Sequence, residues 1–270
     1  MKTSITIISL SAVLASLTLS AQESQPAAGG GLAERFKQLD RNGEPTQPEP
    51  ARSASPVPSG AAEPFLEKED VFVRGADGYH TYRIPGLVAT RSGALLLFCD
   101  GRVNSGSDLG KMNLVLKRSL DGGKSWRPMQ VLFSDDGPKT KIGNVSAVVD
   151  ASTGAVHVIF CKDLTQAYCL TSTDDGATFS PAVEITKTFR QFPFAWKFFA
   201  TGHAHGIQLT SGRLMIPVFL SAVPRVGGEL RDFRAGTIFS DDHGANWKAG
   251  GLIPKDPLLN ESTQIGRAHV

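Results

Sequence analysis

Ser119-Leu120-Asp121-Gly122-Gly123-Lys124-Ser125-Trp126 is the stretch whose reading decides the fold. It returns as Ser172-Thr173-Asp174-Asp175-Gly176-Ala177-Thr178-Phe179, and again as Ser240-Asp241-Asp242-His243-Gly244-Ala245-Asn246-Trp247. All three copies fit S-x-D-x-G-x-x-[W/F]. The Ser and Asp oxygens of such a segment accept nearby backbone N–H groups. The Gly supplies a left-handed backbone position, and the aromatic ring returns to pack on the hairpin. Each copy is therefore a self-contained turn.

The copies begin 53 and 68 residues apart. A four-stranded propeller blade takes about 40–50 residues. The repeat thus predicts one turn per blade, with a longer insertion in the second interval. The surrounding pattern agrees. From about Phe65 onward, short apolar runs such as Leu95–Cys99, Val156–Cys161 and Leu214–Leu220 are punctuated by Gly, Asp, Asn, Ser or Thr. No segment of this region keeps a helical period, so the reading is all-β.

The chain before Phe65 differs. Lys2, an apolar run from Ile5 to Leu19 and then Ser20-Ala21-Gln22 read as a secretory leader over residues 1–21, too short for a comfortable membrane span. The expectation is a secreted or periplasmic product with no membrane contact after cleavage. Residues 22–64 are rich in Pro, Gly and Ser and read as a linker. A helical island, Leu32 to Leu39, interrupts it and runs into Asp40-Arg41-Asn42-Gly43, like the start of a calcium loop. The pattern then fails, because Pro45 and Ala51 stand where Gly and Glu are required. No metal or other cofactor is expected, there or around His203 and His205.

Net charge is +2, with acids and bases interspersed, which excludes a nucleic-acid footprint. Cys99, Cys161 and Cys169 are odd in number and lie in apolar runs. They read as buried free thiols rather than as a disulfide set.

Further motifs fall in a fixed order: Tyr82-Arg83-Ile84-Pro85; Phe98-Cys99-Asp100-Gly101-Arg102 followed by Asn104-Ser105-Gly106-Ser107-Asp108; Thr201-Gly202-His203-Ala204-His205-Gly206-Ile207-Gln208-Leu209; and Asn260-Glu261-Ser262. With the three turns, these resemble the bacterial exo-α-sialidases (neuraminidases) of glycoside hydrolase family 33. In that family the turns are the Asp boxes, or BNR repeats. Two departures stand out: Asp100 where the family shows Glu, and His203-Ala204 where Pro-Gly is common.

The resemblance implies a six-bladed β-propeller with its site on the central axis and the Asp boxes on outer turns. It implies sialylated glycans as substrates. Arg83 matches the first of three arginines that hold the sugar carboxylate, a task suited to a planar, permanently charged fork. Asp108 matches the acid/base that protonates the leaving oxygen. Glu261 matches the partner of a Tyr nucleophile, which avoids driving a carboxylate at an anomeric carbon that already bears one. Arg102, His205, Gln208 and Trp196 are candidates to line the pocket, with packing as the alternative for Trp196 and Gln208. Arg213, Arg225 and Arg234 precede Glu261 and are out of order for the remaining arginines. A non-catalytic Asp-box propeller for glycan binding or scaffolding is the alternative function. A glycosidase for another acidic sugar is a third.

Residues 265–270, Ile-Gly-Arg-Ala-His-Val, read as a sequencing adapter translated in frame. The expectation is a natural sequence that diverges near Gln264. Phe65 to Gln264 supplies roughly four blades at the usual blade length. On that reading the two other arginines and the Tyr lie beyond the chain. The 270-residue product would then be unable to close its propeller, and inactive.

Overall fold

A computed structural model of the chain describes residues 4–9, 67–223, 233–254 and 262–263. The linker expected over 22–64, Arg225, Glu261 and the tail at 265–270 lie outside the described residues. Within the expected leader, Ser4–Ser9 forms a strand, β1, paired with β2 (Glu67–Val73).

Strand follows strand thereafter. β3 (Thr81–Ala89), β4 (Leu95–Arg102), β5 (Met112–Ser119) and β6 (Gln130–Phe133) form a four-stranded antiparallel sheet in sequence order. β7 (Ile142–Val149), β8 (Val156–Lys162), β9 (Gln166–Ser172) and β10 (Val183–Glu184) repeat that arrangement. The third sheet holds β11 (Phe198–Thr201), β14 (Leu214–Ser221), β15 (Phe233–Ser240) and β16 (Lys248–Leu252), with β13 (Ile207–Gln208) also on β14. β12 (Ala204–His205) crosses to pair in parallel with β7 of the second sheet. A short helix, α1 (Thr186–Phe189), stands in the long connection between β10 and β11. Besides the β1–β2 pair, three sheets of four or five strands stand among the described residues.

The sheets stack through apolar interfaces that follow from strand alternation. Leu96 and Phe98 of β4 meet Val145, Ala147, Val158 and Phe160 of the second sheet. Ile159 and Cys161 of β8 point the other way and join Phe199, Ile216 and Val218 of the third. Leu97 and Cys99 face outward onto Phe72, Tyr79 and Tyr82. β4 is buried from Leu96 to Arg102, so its sequence reads as a continuous apolar run and not as an alternation. The three thiols are buried and unbridged.

Each eight-residue turn closes in the same way. Ser119 Oγ donates to Asp121 Oδ1 at 2.8 Å and accepts the Gly123 N–H at 2.8 Å. Ser172 and Ser240 do the same with Asp174 and Gly176, and with Asp242 and Gly244. The Asp then accepts the N–H of Ser125, Thr178 or Asn246. Not only the Gly but the residue before it is left-handed: Gly122, Asp175 and His243 have φ of 72°, 55° and 57°. The ring of each turn enters a different core. Trp126 packs outside the first sheet, Phe179 between the first and second sheets, and Trp247 between the second and third.

Candidate active site

Register places the site. Ser119 lies opposite Leu95, at the far end of β4 from Arg102. Ser172 lies opposite Val156, and Ser240 opposite Leu214. All three turns thus occupy one rim. The other rim carries Arg102, Met112, Asn144 and Phe233, which line a cavity of about 100 Å³ together with Arg83, Asp100 and Asp108.

Arg83 on β3 and Arg102 on β4 converge on one carboxylate. Asp108 Oδ1 accepts Arg83 Nη1 at 2.9 Å and pairs with Arg102 Nη1 at 2.7 Å. Arg102 is 3% exposed and also donates to the Gly106 carbonyl at 2.6 Å, which holds the loop that carries Asp108. Arg83 and Asp108 are 49% and 40% exposed, so both face an incoming ligand. The structure thus brings together three residues that the sequence placed in one site from separate motifs.

Asp100 lies beneath them, in register with Arg83 and 2% exposed. Alternation puts it on the same face of β4 as Phe98 and Arg102, toward the second sheet. Its Oδ1 accepts the Asn144 N–H at 3.1 Å. Burial pushes its carboxyl up to about 8, against the pull of Arg102, of the Asn144 N–H and of Arg83; Asp108 adds to the rise. Gly143 makes room for it, because a Cβ there would run into the carboxyl group.

Bulges in two of the lining strands shape the floor. The register slips between Arg83 and Gly86 on β3, and between Gly143 and Ser146 on β7. Within each bulge one residue is left-handed: Ile84 at φ 58° and Asn144 at φ 53°. Both line the cavity. A β-branched residue at positive φ is costly, and such strain gathers where a site demands it. Asn144 is further held through its carbonyl, which accepts Thr201 Oγ1. Leu164, Phe198, Phe219 and Phe233 supply an apolar wall, with ring centroids of 6.0 Å for Phe198–Phe233 and 5.9 Å for Phe219–Phe233.

Other expected pocket residues lie elsewhere. His205 and Gln208 line a separate groove with Leu87, Ala89 and Val149, at the opposite end of β3 and β7 from Arg83 and Asn144. Gln208 is fully engaged there, accepting from Ala151 N–H at 2.7 Å and donating to Asp150 and the Gly212 carbonyl at 3.0 Å. Trp196 packs edge-on against Phe199 at 4.8 Å and donates to the Phe189 carbonyl. Arg213 spends its fork on Asp241, beside the third turn. Sequence reasoning missed Asp100 as a site residue, along with Gly143, Asn144 and the three phenylalanines. Only Asp100 left a signal, a carboxylate directly after the apolar run Leu95–Cys99.

Stacked four-stranded sheets, with a repeated Ser–Asp–Gly turn on one rim and an arginine–carboxylate pocket on the other, are the architecture of a repeat-built β-propeller protein. Residues 93–265 match the model of the BNR repeat-like domain, and the chain belongs to that family. It is 31% identical over 247 residues to a sialidase of Micromonospora viridifaciens, covering 83% of this chain and 37% of that protein. A sialidase of Bacteroides fragilis is 32% identical over 201 residues, covering 64% of this chain and 36% of its own. The chain therefore spans little more than a third of these relatives. The Hadza microbial sialidase Hz136 superposes with a TM-score of 0.59 at 29% identity, over 67% of this chain and 39% of that one. A Trypanosoma rangeli sialidase in complex with sialic acid shares the fold, with a TM-score of 0.52 at 17% identity over 70% of this chain and 32% of its own.

Proposed function

We propose that the whole protein is an exo-α-sialidase that removes terminal sialic acids from glycoconjugates with retention. The observation that carries this reading is the Arg83–Asp108–Arg102 cluster at the cavity, 2.9 and 2.7 Å across its two ion pairs. A guanidinium half in solvent and half committed to a partly exposed carboxylate is arranged to exchange partners. The sugar carboxylate takes the fork of Arg83. Asp108, released from it, reaches the glycosidic oxygen and delivers a proton as the bond breaks. Arg102 stays buried and holds the acid loop. Glu261 polarises a Tyr that attacks the anomeric carbon, and Asp108 then activates water to release the sugar. The propeller has six blades, and the site is completed by blades beyond the three described.

Leaving-group dependence tests the role of Asp108. In the whole protein, Asp108→Ala should lower kcat/KM on a sialyl-lactose by about 10²–10⁴-fold, the usual worth of a general acid. The loss should be far smaller on an aryl sialoside whose phenolate leaves without a proton. Equal losses on both substrates would remove Asp108 from that role. Proton NMR of the first-formed sugar should show the α anomer, and β would exclude retention.

A further inference from the structure

Asp100 has no part in the mechanism above, yet it is as enclosed as Arg102. Its carboxyl reaches from the first sheet to the second and accepts the Asn144 N–H at 3.1 Å. Gly143, next to Asn144, lacks the one atom that would enter the carboxyl group, so β7 is shaped to receive it. Asp100 also pairs in register with Arg83 and shares a strand face with Arg102, the two cations that Asp108 bridges.

We propose that Asp100 is the positioning residue of the arginine cluster: it fixes the Asn144 bulge at the pocket floor, and its own charge sets how strongly Arg83 and Arg102 attract an anionic sugar. This rests on the sialoside reading above. The charged and titratable groups around Asp100 are Arg83 on β3, Arg102 on β4, Asp108 on its loop, Lys141 before β7 and Cys161 on β8, with Cys99 next to it on the other face of β4. Burial keeps the Cys99 and Cys161 thiols up, Cys161 at about 12, so neither takes charge in the range that matters. With Asp100 neutral, Arg83, Arg102 and Lys141 outweigh Asp108 by two positive charges. With Asp100 ionised, that excess is halved. Because burial places its titration at about 8, the cluster is most cationic at neutral pH and attracts an anion less in alkali. An anion bound to Arg83 must in turn raise Asp100 further, and each unit of that rise is about tenfold in affinity.

The test uses the whole protein, with N-acetylneuraminic acid as probe, followed by NMR from about pH 6 to about pH 9.5. In the wild type the affinity should hold to about pH 7.5 and then fall roughly tenfold. In Asp100→Asn, which keeps the shape of the neutral acid, it should stay level over the same range. Carbon-13 NMR of the Asp100 carboxyl should show it titrating near pH 8, with the Arg102 guanidinium resonances moving in step. An alkaline fall that persists in Asp100→Asn would overturn the proposal. So would a carboxyl that titrates near pH 4, whether or not the sugar binds. No sugar binding at any pH, with the carboxyl still titrating near 8 and moving Arg102, would defeat the sialoside reading and leave the charge-setting role standing. Should Asp100→Asn fail to fold, the wild-type carbon-13 titration decides alone.

Discussion

Asp100 and Gly143 are fitted to each other across two sheets, and this pair makes the sharpest predictions at the scale of single residues. Gly143→Ala places a methyl group inside the Asp100 carboxyl. Overpacking of this kind costs about 1–3 kcal/mol, read as a lowered denaturation midpoint. Because the clash has one cause, Asp100→Ala in the same chain should recover most of the loss. Additive losses in the double variant would refute that pairing. Stability should also respond to pH. Folded Asp100 keeps its proton to about 8, against an ordinary 3.8, so the folded chain holds an extra proton between those values. Stability therefore falls as pH rises across that window. His157 acts in the opposite sense below its ordinary 6.5, because burial lowers it. Between about pH 6.5 and 8 the Asp100 effect stands clear. Tm should decline over that interval in the wild type and level off in Asp100→Asn. A level wild-type profile would contradict a buried, protonated Asp100.

At the scale of elements, the three turns are one device used in three surroundings. Ser240 is fully buried, and its hydroxyl holds both Asp242 and the Gly244 N–H. Ser240→Ala should cost about 1–3 kcal/mol by stranding those partners, measured by chemical denaturation. The glycines should differ, although all are left-handed. A Cβ on Gly123 meets only Leu95 Cδ1, at 3.5 Å, whereas one on Gly244 would run into the His157 ring. Gly123→Ala should cost about 1–2 kcal/mol for its backbone alone, and Gly244→Ala distinctly more. Equal costs would show that the His157 contact carries no weight. The turn carboxylates also set the acid limit. Hydrogen bonds from Ser125, Thr178 and Asn246 hold Asp121, Asp174 and Asp242 at about 2. Their contribution is complete at neutral pH and is lost as pH falls from about 4 toward 2.

The molecule as a whole depends on polar links between its sheets as well as on apolar stacking. Asp150, after β7, is fully buried. Burial by itself would raise its carboxyl, but hydrogen bonds from Ser152, His243 and Thr153 hold it well below the usual range. His243 Nδ1 reaches it from the third turn at 2.7 Å, and Gln208 Nε2 from the third sheet at 3.0 Å. Asp150→Ala would strip a buried hub of four side-chain partners and should cost about 3–5 kcal/mol. A loss below about 1 kcal/mol would show that stacking alone holds the two sheets.

Part of this was legible in the residues, and the division has a physical basis. Each Ser–Asp–Gly turn closes its hydrogen bonds within eight residues, so an octapeptide encodes it and its repetition declares the sheets. Arg83, Arg102 and Asp108 were legible because their motifs keep a fixed order. Contacts between strands far apart in the chain were not. Whether Gln208 faces the arginines or Asp150 depends on which end of β7 the neighbouring β12 pairs with, and register alone fixes that. The tenancy of Asp100 beneath Arg83 depends on a glycine in another sheet, 43 residues away. The sequence by itself determined the turns, the all-β character and the order of the charged motifs. Only the tertiary structure decided which side chains share a cavity, because stacking sheets brings together groups that no local hydrogen bond connects.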